Sequence, residues 1–573
     1  MKHSHLVFQE TRQALLRKNP TDSVQIDQKF QELTERTVET DSSFLDWLID
    51  WNTLMGEIQD AQNLSYFQYL TSLDQVEHLQ AYQRFLQEIG PLVSSKDPEL
   101  DAILESQERR SSILPEVYQR FISQRLNQKK LRNNEIKEIQ SALSQTAGEH
   151  PRRFMAARIE YGGKKNSPQE MAAIIRDADR SGREVAWHAA NAARRIDIPF
   201  FQELFDKQVN LRHQLAEAAQ NLNYIDFRFE ELGRMAYNAT DCQLLHESLE
   251  KYLPDAMHRL LKSHMQNMGW DEIYPWDLSK GPEAPSPAAQ SAPELVEQLS
   301  EFFREVHPSW EDVFRGMYES NRLDIFPREN KTMGAMTYPM KSDGLPLLLA
   351  SYHRSAPSLT QVIHELGHGM HFFLSRGQAL QALMPIPPEV GELIALSFEL
   401  IALSHNHVFY QDGAARQQIV QSQLYRVFSL LALSMAMDAF QHEVYQNPEC
   451  SAEERNACWQ KHYLRFHGET VTWQPFEEEL SHYWLRHYHL FEAPLYSTEY
   501  AIAQLGALQL WQQYEQAPED TIQKLHHVME LGFSKPVKVL YSVLGLDLFP
   551  DEKKIKELLS YCLDLFCKKP VEG

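Results

Sequence analysis

Apolar residues recur at intervals of three and four along most of the chain, separated by charged and amide side chains. The segment at residues 44–54 shows this pattern clearly, and its apolar positions are Phe44, Leu45, Trp47, Leu48, Trp51 and Leu54. Such spacing places the apolar side chains on one face of an α-helix. Because similar stripes continue to about residue 260 and return after residue 352, we predict a mainly α protein.

One short segment near the middle of the chain breaks the helical pattern. Asp343 and Gly344 are typical of a turn, and the run LPLLLASY that follows them suits a β-strand. Pro346 cannot donate a hydrogen bond to a neighbouring strand, which favours a position at the edge of a sheet. The sequence therefore predicts one small sheet with an edge strand in this segment.

Composition and charge exclude several classes of protein. The chain has 573 residues, of which 43% are hydrophobic and 24% are charged, and this is typical of a globular protein. The net charge of −23 makes nucleic acids and anionic membrane surfaces unfavourable partners. Five scattered cysteines without a CxxC motif indicate neither a disulfide framework nor a cysteine-based zinc site. The N-terminal sequence MKHSHLVFQETRQ lacks the apolar run of an export signal, so we expect a cytoplasmic protein.

The segment SLTQVIHELGHGMHFFLSRG carries most of the candidate chemistry. Ser358 followed by Gln361 fits a capping box at the start of a helix, and Gly377 fits a helix stop. Within this predicted helix His364 and His368 are four residues apart and point the same way. Both imidazoles can therefore reach one metal ion at about 2.0–2.1 Å.

Glu365 directly follows the first of these histidines. In an HExxH arrangement of this kind the carboxylate projects beside the metal, where it can accept a proton from metal-bound water. A third ligand must come from another part of the chain. The extended metzincin motif HExxHxxGxxH is excluded, because His371 and Leu374 occupy the positions of its glycine and its last histidine.

A second predicted helix, PPEVGELIALSFEL, offers carboxylates for the third position. The prolines that suit its start are Pro385, Pro387 and Pro388. Glu392 and Glu399 are seven residues apart and share one face of an otherwise apolar helix, where carboxylates need partners or a metal. We predict Glu392 as the third ligand and Glu399 as the group that orients a ligand histidine through its free N–H. Glu389 and His371 remain alternatives for the third ligand.

The motif HELGHGMH followed by GELIALSFEL resembles the thimet oligopeptidase/oligoendopeptidase F family of zinc metallopeptidases. Two longer stretches, LPLLLASYHRSAPSLTQVIHELGH and HLFEAPLYSTEYAIAQLGALQLW, are also similar to that family. The likeness is strongest to the shorter bacterial oligoendopeptidases. It extends from about Asn321 to about Trp511 and is weak over the N-terminal half of the chain.

The resemblance implies a mainly α fold: a two-lobed helical body with a deep substrate channel and a small β-sheet beside the zinc site. It also implies short unstructured peptides as substrates and one zinc ion as the cofactor. We expect an N-terminal helical region at residues 1–185 and a zinc metallopeptidase catalytic region at residues 186–573. The predicted edge strand could then pair with the backbone of a bound peptide by strand addition.

The resemblance also assigns roles to individual residues. The zinc ligands of the family match His364, His368 and Glu392, and its general base matches Glu365. His489 matches the histidine that contacts the substrate or its oxyanion. Tyr500, with Tyr496 close by, matches the tyrosine segment that stabilises the tetrahedral intermediate; His487 is a rival for the role of His489.

These residues together predict a zinc-dependent endopeptidase that hydrolyses short unstructured oligopeptides through a metal-activated water. One alternative is a zinc metallocarboxypeptidase with a similar helical body, although the DxRxT motif typical of that class does not occur in the sequence. Another alternative is a catalytically silent peptide-binding protein. A silent site has no chemical need for the Glu365 carboxylate, and this favours the enzyme.

Overall fold

The computed structural model describes residues 22–384 and 387–568. Helices dominate these residues and the few strands are short, so the predicted mainly α fold with a small sheet is confirmed. The chain divides into two compact units. Unit 1 comprises Met1–Lys129, Ala284–Arg416 and Gly506–Leu548, and unit 2 comprises Lys130–Glu283, Gln417–Leu505 and Phe549–Gly573. The division at residue 185 concerns the extent of the catalytic region and stays a prediction.

Unit 1 contains helices that precede and follow its sheet. Its α-helices are Ser23–Thr34, Asp41–Thr71, Val76–Arg84, Gly90–Ser106, Glu108–Ser111, Glu116–Asn127, Ala292–Val306, Pro308–Glu319, Ala356–Leu374, Pro388–Ser404, Pro518–Leu531 and Val537–Leu544. A π-helical turn lies at Phe85–Ile89, and short 3₁₀ turns lie at Ser375–Gly377, Gln381–Leu383 and Asn406–Val408.

Unit 2 is also mainly helical. Its α-helices are Asn134–Ser144, Glu149–Ala156, Pro168–Asp177, Arg180–Arg195, Ile198–Ala218, Tyr224–Glu231, Ala239–Leu249, Leu253–Met268, Ala452–His467, Glu477–Ser481, Tyr488–Glu492 and Glu552–Cys567. Its 3₁₀ turns are Pro275–Ser279 and Tyr483–Arg486. Three further elements have residues in both units, namely the 3₁₀ turn Gln128–Arg132 and the α-helices Gly413–Gln446 and Ser497–Gln516.

The helix Asp41–Thr71 confirms the apolar stripe predicted at residues 44–54. Thr40 caps its N-terminus, because Thr40 and Ser43 exchange side-chain and backbone hydrogen bonds. The side chains of the stripe that are buried are Phe44, Trp47, Leu48, Trp51 and Leu54. Burial of one side chain of this size contributes about 1.5–3 kcal/mol, so this face anchors the helix in the core of unit 1.

Two small sheets are present. In unit 2, β1 (Ile159–Tyr161) and β2 (Lys164–Asn166) form an antiparallel hairpin. In unit 1, β3 (Leu323–Asp324), β4 (Met336–Tyr338) and β5 (Leu347–Leu349) form a sheet in the order β3-β5-β4. The strand β5 pairs with β3 in parallel and with β4 in antiparallel orientation.

The prediction that the LPLLLASY segment is an edge strand is wrong, because β5 is the central strand of its sheet. Pro346 precedes the first residue of β5, so its missing N–H removes no bond from the ladder. All three residues of β5 are buried, and both of its sides are paired. Strand addition of a peptide to β5 is therefore excluded, and the edges of this sheet belong to β3 and β4.

The predicted histidine-containing helix is present as Ala356–Leu374, which we call the histidine helix. Its predicted start is wrong, because the N-cap is Ser355 and not Ser358. Ser358 is the third helical residue and completes a capping box with Ser355. The α-helix ends at Leu374, and the 3₁₀ turn Ser375–Gly377 follows it. The helix end predicted at Gly377 therefore lies one 3₁₀ turn beyond the observed end.

The second predicted helix is present as Pro388–Ser404, which we call the glutamate helix. It begins at Pro388, where a proline loses no helical hydrogen bond. Pro385 lies outside the described residues. Most of this helix is buried, as its apolar sequence predicts.

Within residues 22–384 and 387–568, every helix is too short or too polar to cross a membrane. The N-terminal residues on which the cytoplasmic expectation depends lie outside the described part of the chain.

Candidate metal centre

Three predicted ligands meet between the histidine helix and the glutamate helix in unit 1. Nε2 of His364 lies 3.2 Å from Nε2 of His368 and 3.5 Å from Oε2 of Glu392. Nε2 of His368 lies 4.0 Å from Oε1 of Glu392. Ligands at about 2.0–2.1 Å from a tetrahedral metal are about 3.3 Å apart. The spacing of these donor atoms therefore fits a single ion of that kind.

The two helices bring these donors together because they pack closely beside the histidines. A Cβ atom added to Gly367 would lie 2.9 Å from the backbone Cα of Ala395, a distance that no side chain tolerates. Glycine at this position permits the close approach of the helices. Glu392, on the adjacent turn of the glutamate helix, thereby reaches the two imidazoles.

The predicted contact between Glu399 and a histidine is present. Nδ1 of His364 donates a hydrogen bond to Oε1 of Glu399 over 2.8 Å. This contact fixes the ring so that Nε2 points toward His368 and Glu392. Burial alone would lower the pKa of His364, but the hydrogen bond and the charge of Glu399, together with Glu392, raise it to about 9.

Burial acts on the other two candidate ligands in opposite directions. It raises the pKa of Glu392 and lowers the pKa of His368 well below its ordinary value. In both cases burial penalises the charged form of the side chain. A cation at this position would favour the ionised carboxylate and the neutral imidazole, which are the forms that bind metals.

Glu365 is buried beside this group. Burial raises the pKa of its carboxyl group above the ordinary value. Its Oε2 accepts a hydrogen bond from Oγ1 of Thr337, a residue of β4, over 2.8 Å. A carboxyl group with a raised pKa and a fixed orientation is suited to accepting and returning a proton.

Sequence reasoning missed Thr337. The residue lies 28 positions before Glu365, in a strand of three residues, and only the packing of β4 against the histidine helix joins them. A threonine within a short apolar-polar run carries no motif that could have identified this contact. The exposed side chain of Met336 and the buried ring of Tyr338 on either side indicate only an ordinary strand.

His371 and Glu389, the alternatives for the third ligand, lie outside the group of three donors. The side chain of His371 is fully buried, and burial lowers its pKa to about 3. Its Nε2 has no hydrogen-bond partner among the described residues. Glu389 is buried in the first turn of the glutamate helix. Among the described residues, the donor group contains His364, His368 and Glu392 and includes neither alternative.

The predicted substrate-contacting residues belong to unit 2. The rings of His489 and Tyr500 are 6.2 Å apart between centroids, and the rings of Tyr496 and Tyr500 are 5.2 Å apart. Each of these side chains is partly exposed. The rings of His489, Tyr496 and Tyr500 thus lie close together in unit 2.

His487, the rival of His489, has different neighbours. Its ring packs against those of Trp459 and Tyr483, at 5.7 and 5.3 Å between centroids. Burial lowers its pKa to about 3, and its Nε2 has no hydrogen-bond partner among the described residues. His489 is therefore the histidine whose ring lies near Tyr500, whereas His487 packs in a different aromatic cluster.

The chain is similar in sequence to known peptidases. The family model of peptidase family M3 matches residues 173–558, which is more than half of the chain. An oligoendopeptidase F homologue of Mycoplasma pneumoniae is 20% identical over 439 residues, which cover 69% of this chain and 67% of that protein.

Two solved structures share the fold over nearly the whole chain. One is described as an oligoendopeptidase F and has a TM-score of 0.84 at 20% identity, covering 96% of this chain and 97% of its own. The other is PZ peptidase A with an inhibitor, with a TM-score of 0.83 at 19% identity over 95% and 96% of the two chains. The family resemblance of the sequence is confirmed. The chain belongs to peptidase family M3 and is a peptidase.

Proposed function

We propose that the protein is a zinc-dependent endopeptidase in which His364, His368 and Glu392 hold one zinc ion. The observation that carries this proposal is the spacing of the three donor atoms, at 3.2 and 3.5 Å from Nε2 of His364, in a chain of a peptidase family. Two imidazoles and one carboxylate are a common ligand set of catalytic zinc, which keeps a further position open. The hydrogen bond from His364 to Glu399 supports the assignment, because ligand histidines are usually held in this way.

A zinc ion bound there would polarise the scissile carbonyl and lower the pKa of the attacking water toward about 7. Glu365 is the general base of the proposal. Its carboxylate takes the proton of the attacking water and passes it to the nitrogen of the leaving amine. The pKa of Glu365, which burial raises, supports this role, because a base must also become an acid in the second step.

His489 and Tyr500 are proposed as hydrogen-bond donors to the substrate carbonyl oxygen. Negative charge develops on that oxygen in the transition state, so donors directed at it accelerate the reaction more than they strengthen substrate binding. This assignment follows the family resemblance. The contact between the His489 and Tyr500 rings supports it, and Tyr496 beside Tyr500 is the second candidate.

The proposed substrates are short unstructured peptides that are cut internally. Support comes from the name of the Mycoplasma pneumoniae relative, an oligoendopeptidase F homologue, and from the fold shared with an oligoendopeptidase F structure. A deep channel, which the resemblance implies, would exclude folded proteins. The cytoplasmic location stays a prediction from the N-terminal sequence.

The decisive experiment is hydrolysis of a ladder of peptides of increasing length, each blocked at the C-terminus, with mass spectrometry of the products. Wild type and Glu365→Gln should contain equal zinc, and the variant should lose nearly all hydrolysis. Internal cuts in the blocked peptides support the endopeptidase. Hydrolysis restricted to peptides with a free C-terminus would show the carboxypeptidase instead. Binding without any hydrolysis by the zinc-loaded wild type would show a peptide-binding protein.

A further inference from the structure

Unit 2 contains a second group of metal-ligating side chains, carried by two facing helices. The helix Ala239–Leu249 presents Cys242 and His246, four residues apart. The helix Gly413–Gln446 presents Asp438 and His442, also four residues apart. Residues at this spacing project from the same face of a helix. Ligand atoms of Cys242, Asp438 and His442 all lie within 4.8 Å of one another.

The group is inside the protein. Cys242 and Asp438 are 0% exposed, and His246 and His442 are each 3% exposed. Polar groups that are buried to this degree normally have hydrogen-bond partners. The hydrogen bonds of these four side chains therefore reveal which atoms the surrounding protein satisfies.

One of the two carboxylate oxygens of Asp438 is hydrogen-bonded to His246. Its Nε2 donates a hydrogen bond to Oδ2 of Asp438 over 2.8 Å. Oδ1 of Asp438 and both ring nitrogens of His442 have no hydrogen-bond partner among the described residues. Nε2 of His442 lies 3.6 Å from Oδ2 of Asp438, which is too far for a hydrogen bond. An unpartnered imidazole and an unpartnered carboxylate oxygen thus face the same buried position as the thiol.

Thr498 and Arg234 are polar neighbours of the group. Oγ1 of Thr498 lies 3.8 Å from Sγ of Cys242, which is a weak contact through the sulfur. Arg234 is the nearby cation, and it forms an ion pair with Glu499 at 2.6 Å. The charges of that pair offset each other. Asp438 therefore contributes a buried carboxylate, of which His246 binds one oxygen.

We propose that Cys242, Asp438 and His442 bind a second divalent transition-metal ion, zinc being the natural candidate, with His246 holding the aspartate. Thiolate, carboxylate and imidazole are all zinc donors. On binding, Cys242 releases its proton to solvent and forms a sulfur–metal bond, since a coordinating thiol is deprotonated. The thiolate and Asp438 then carry two negative charges, which balance the charge of the ion.

This site differs in kind from the one at the histidine helix. Its three ligands are all buried, whereas those of the first site are partly exposed. It would link the helix Ala239–Leu249 to the helix Gly413–Gln446 within the core of unit 2. The sequence contains no CxxC motif, and the cysteine and the aspartate are far apart in the chain, so spacing alone did not predict this site.

Cobalt spectroscopy tests the proposal, because a thiolate bound to Co²⁺ produces an intense charge-transfer absorption in the near ultraviolet. The ligands at His364, His368 and Glu392 contain no sulfur and produce no such band. The full chain is stripped of metal under conditions that permit refolding and loaded with Co²⁺. We expect two equivalents of metal and the charge-transfer band in the wild type. The double variant His364→Ala/His368→Ala should bind one equivalent and keep the band.

Single substitutions in unit 2 identify the cysteine whose sulfur binds the metal ion. Cys242→Ser should lose the band and one metal equivalent, whereas the matched control Cys562→Ser, at another fully buried cysteine, should keep both. Cys458→Ser, which removes the thiol from another donor group with Glu443 and His462, should also keep both. Absence of the band from the wild type, or its loss only in Cys458→Ser, would overturn the proposal. If Cys242→Ser fails to fold, two other variants decide: Cys458→Ser should keep the band, and His442→Gln, which changes no cysteine, should lose one metal equivalent. The proposed peptidase activity does not enter any of these readouts.

Discussion

Oγ1 of Thr337 lies 2.8 Å from Oε2 of Glu365, so a strand residue holds the carboxylate that follows His364 in the chain. The same hydroxyl lies 2.9 Å from the backbone carbonyl oxygen of Glu365. Because β4 pairs with β5, the sheet and not only the histidine helix determines where this carboxylate points. We therefore predict that Thr337 is a positioning residue that acts through Glu365, the base of the proposed reaction.

Thr337→Val tests this positioning role. The substitution keeps the shape of the side chain and removes the hydroxyl. We expect kcat to fall about tenfold, which corresponds to the loss of one hydrogen bond of about 1.4 kcal/mol in the transition state. KM for a quenched fluorescent peptide should stay within a factor of about two, because the hydroxyl acts on the base and not on the substrate. Thr337→Ser should restore kcat, and a rise in KM at constant kcat would show that the residue only shapes the substrate site.

Glu392→Ala should remove zinc. Loss of one of three protein ligands leaves two imidazoles, which hold the ion much more weakly. The zinc content after dialysis should fall from about one equivalent at this site to a small fraction, and peptide hydrolysis should fall with it. Glu389→Gln, three residues away in the same helix, serves as the matched control and should retain zinc. If Glu392→Ala kept the zinc content of the wild type, another residue would be the third ligand.

Kinetic measurements can distinguish the roles of Tyr496 and Tyr500. Tyr500 contacts the ring of His489, and Tyr496 contacts Tyr500. Removal of a hydrogen-bond donor to a developing oxyanion costs on the order of 10²–10³ in kcat. We expect a loss of this size in Tyr500→Phe and a loss below about tenfold in Tyr496→Phe, measured at saturating peptide. The reverse order would assign the donor role to Tyr496, and small losses in both would exclude the tyrosine segment from the chemistry.

Local periodicity predicted the parts of the site that depend on one helix at a time. The i, i+4 spacing placed His364 and His368 on one face, and the seven-residue spacing placed Glu399 near Glu392. Contacts between distant segments were not predictable in this way. The strands that pair with β5 come from other segments of the chain. The edge position that we predicted for β5 from Pro346 was therefore wrong. Ser355 and Ser358 both suit a helix start, and only the hydrogen bonds identify the first as the cap.

Gly367, one of the two variable positions of the HExxH motif, was also not identified from the sequence. The motif specifies no residue there, yet a Cβ atom at this position would lie 2.9 Å from the Cα of Ala395 and 3.3 Å from the ring of Phe398. Backbone atoms cannot move aside as a flexible side chain can. The distance between the histidine helix and the glutamate helix therefore depends on this glycine.

Gly367→Ala should destabilise unit 1 and weaken metal binding together. Alanine gains about 1 kcal/mol of helix propensity, but forced separation of packed helices costs about 1–3 kcal/mol and moves Glu392 away from the imidazoles. Gly391→Ala in the glutamate helix is the matched control, because an added Cβ there meets nothing within 4 Å among the described residues. We expect the first variant to lower Tm and zinc affinity, and the second to retain both, by thermal unfolding and chelator competition. Equal behaviour of the two variants would show that the helices tolerate a wider separation.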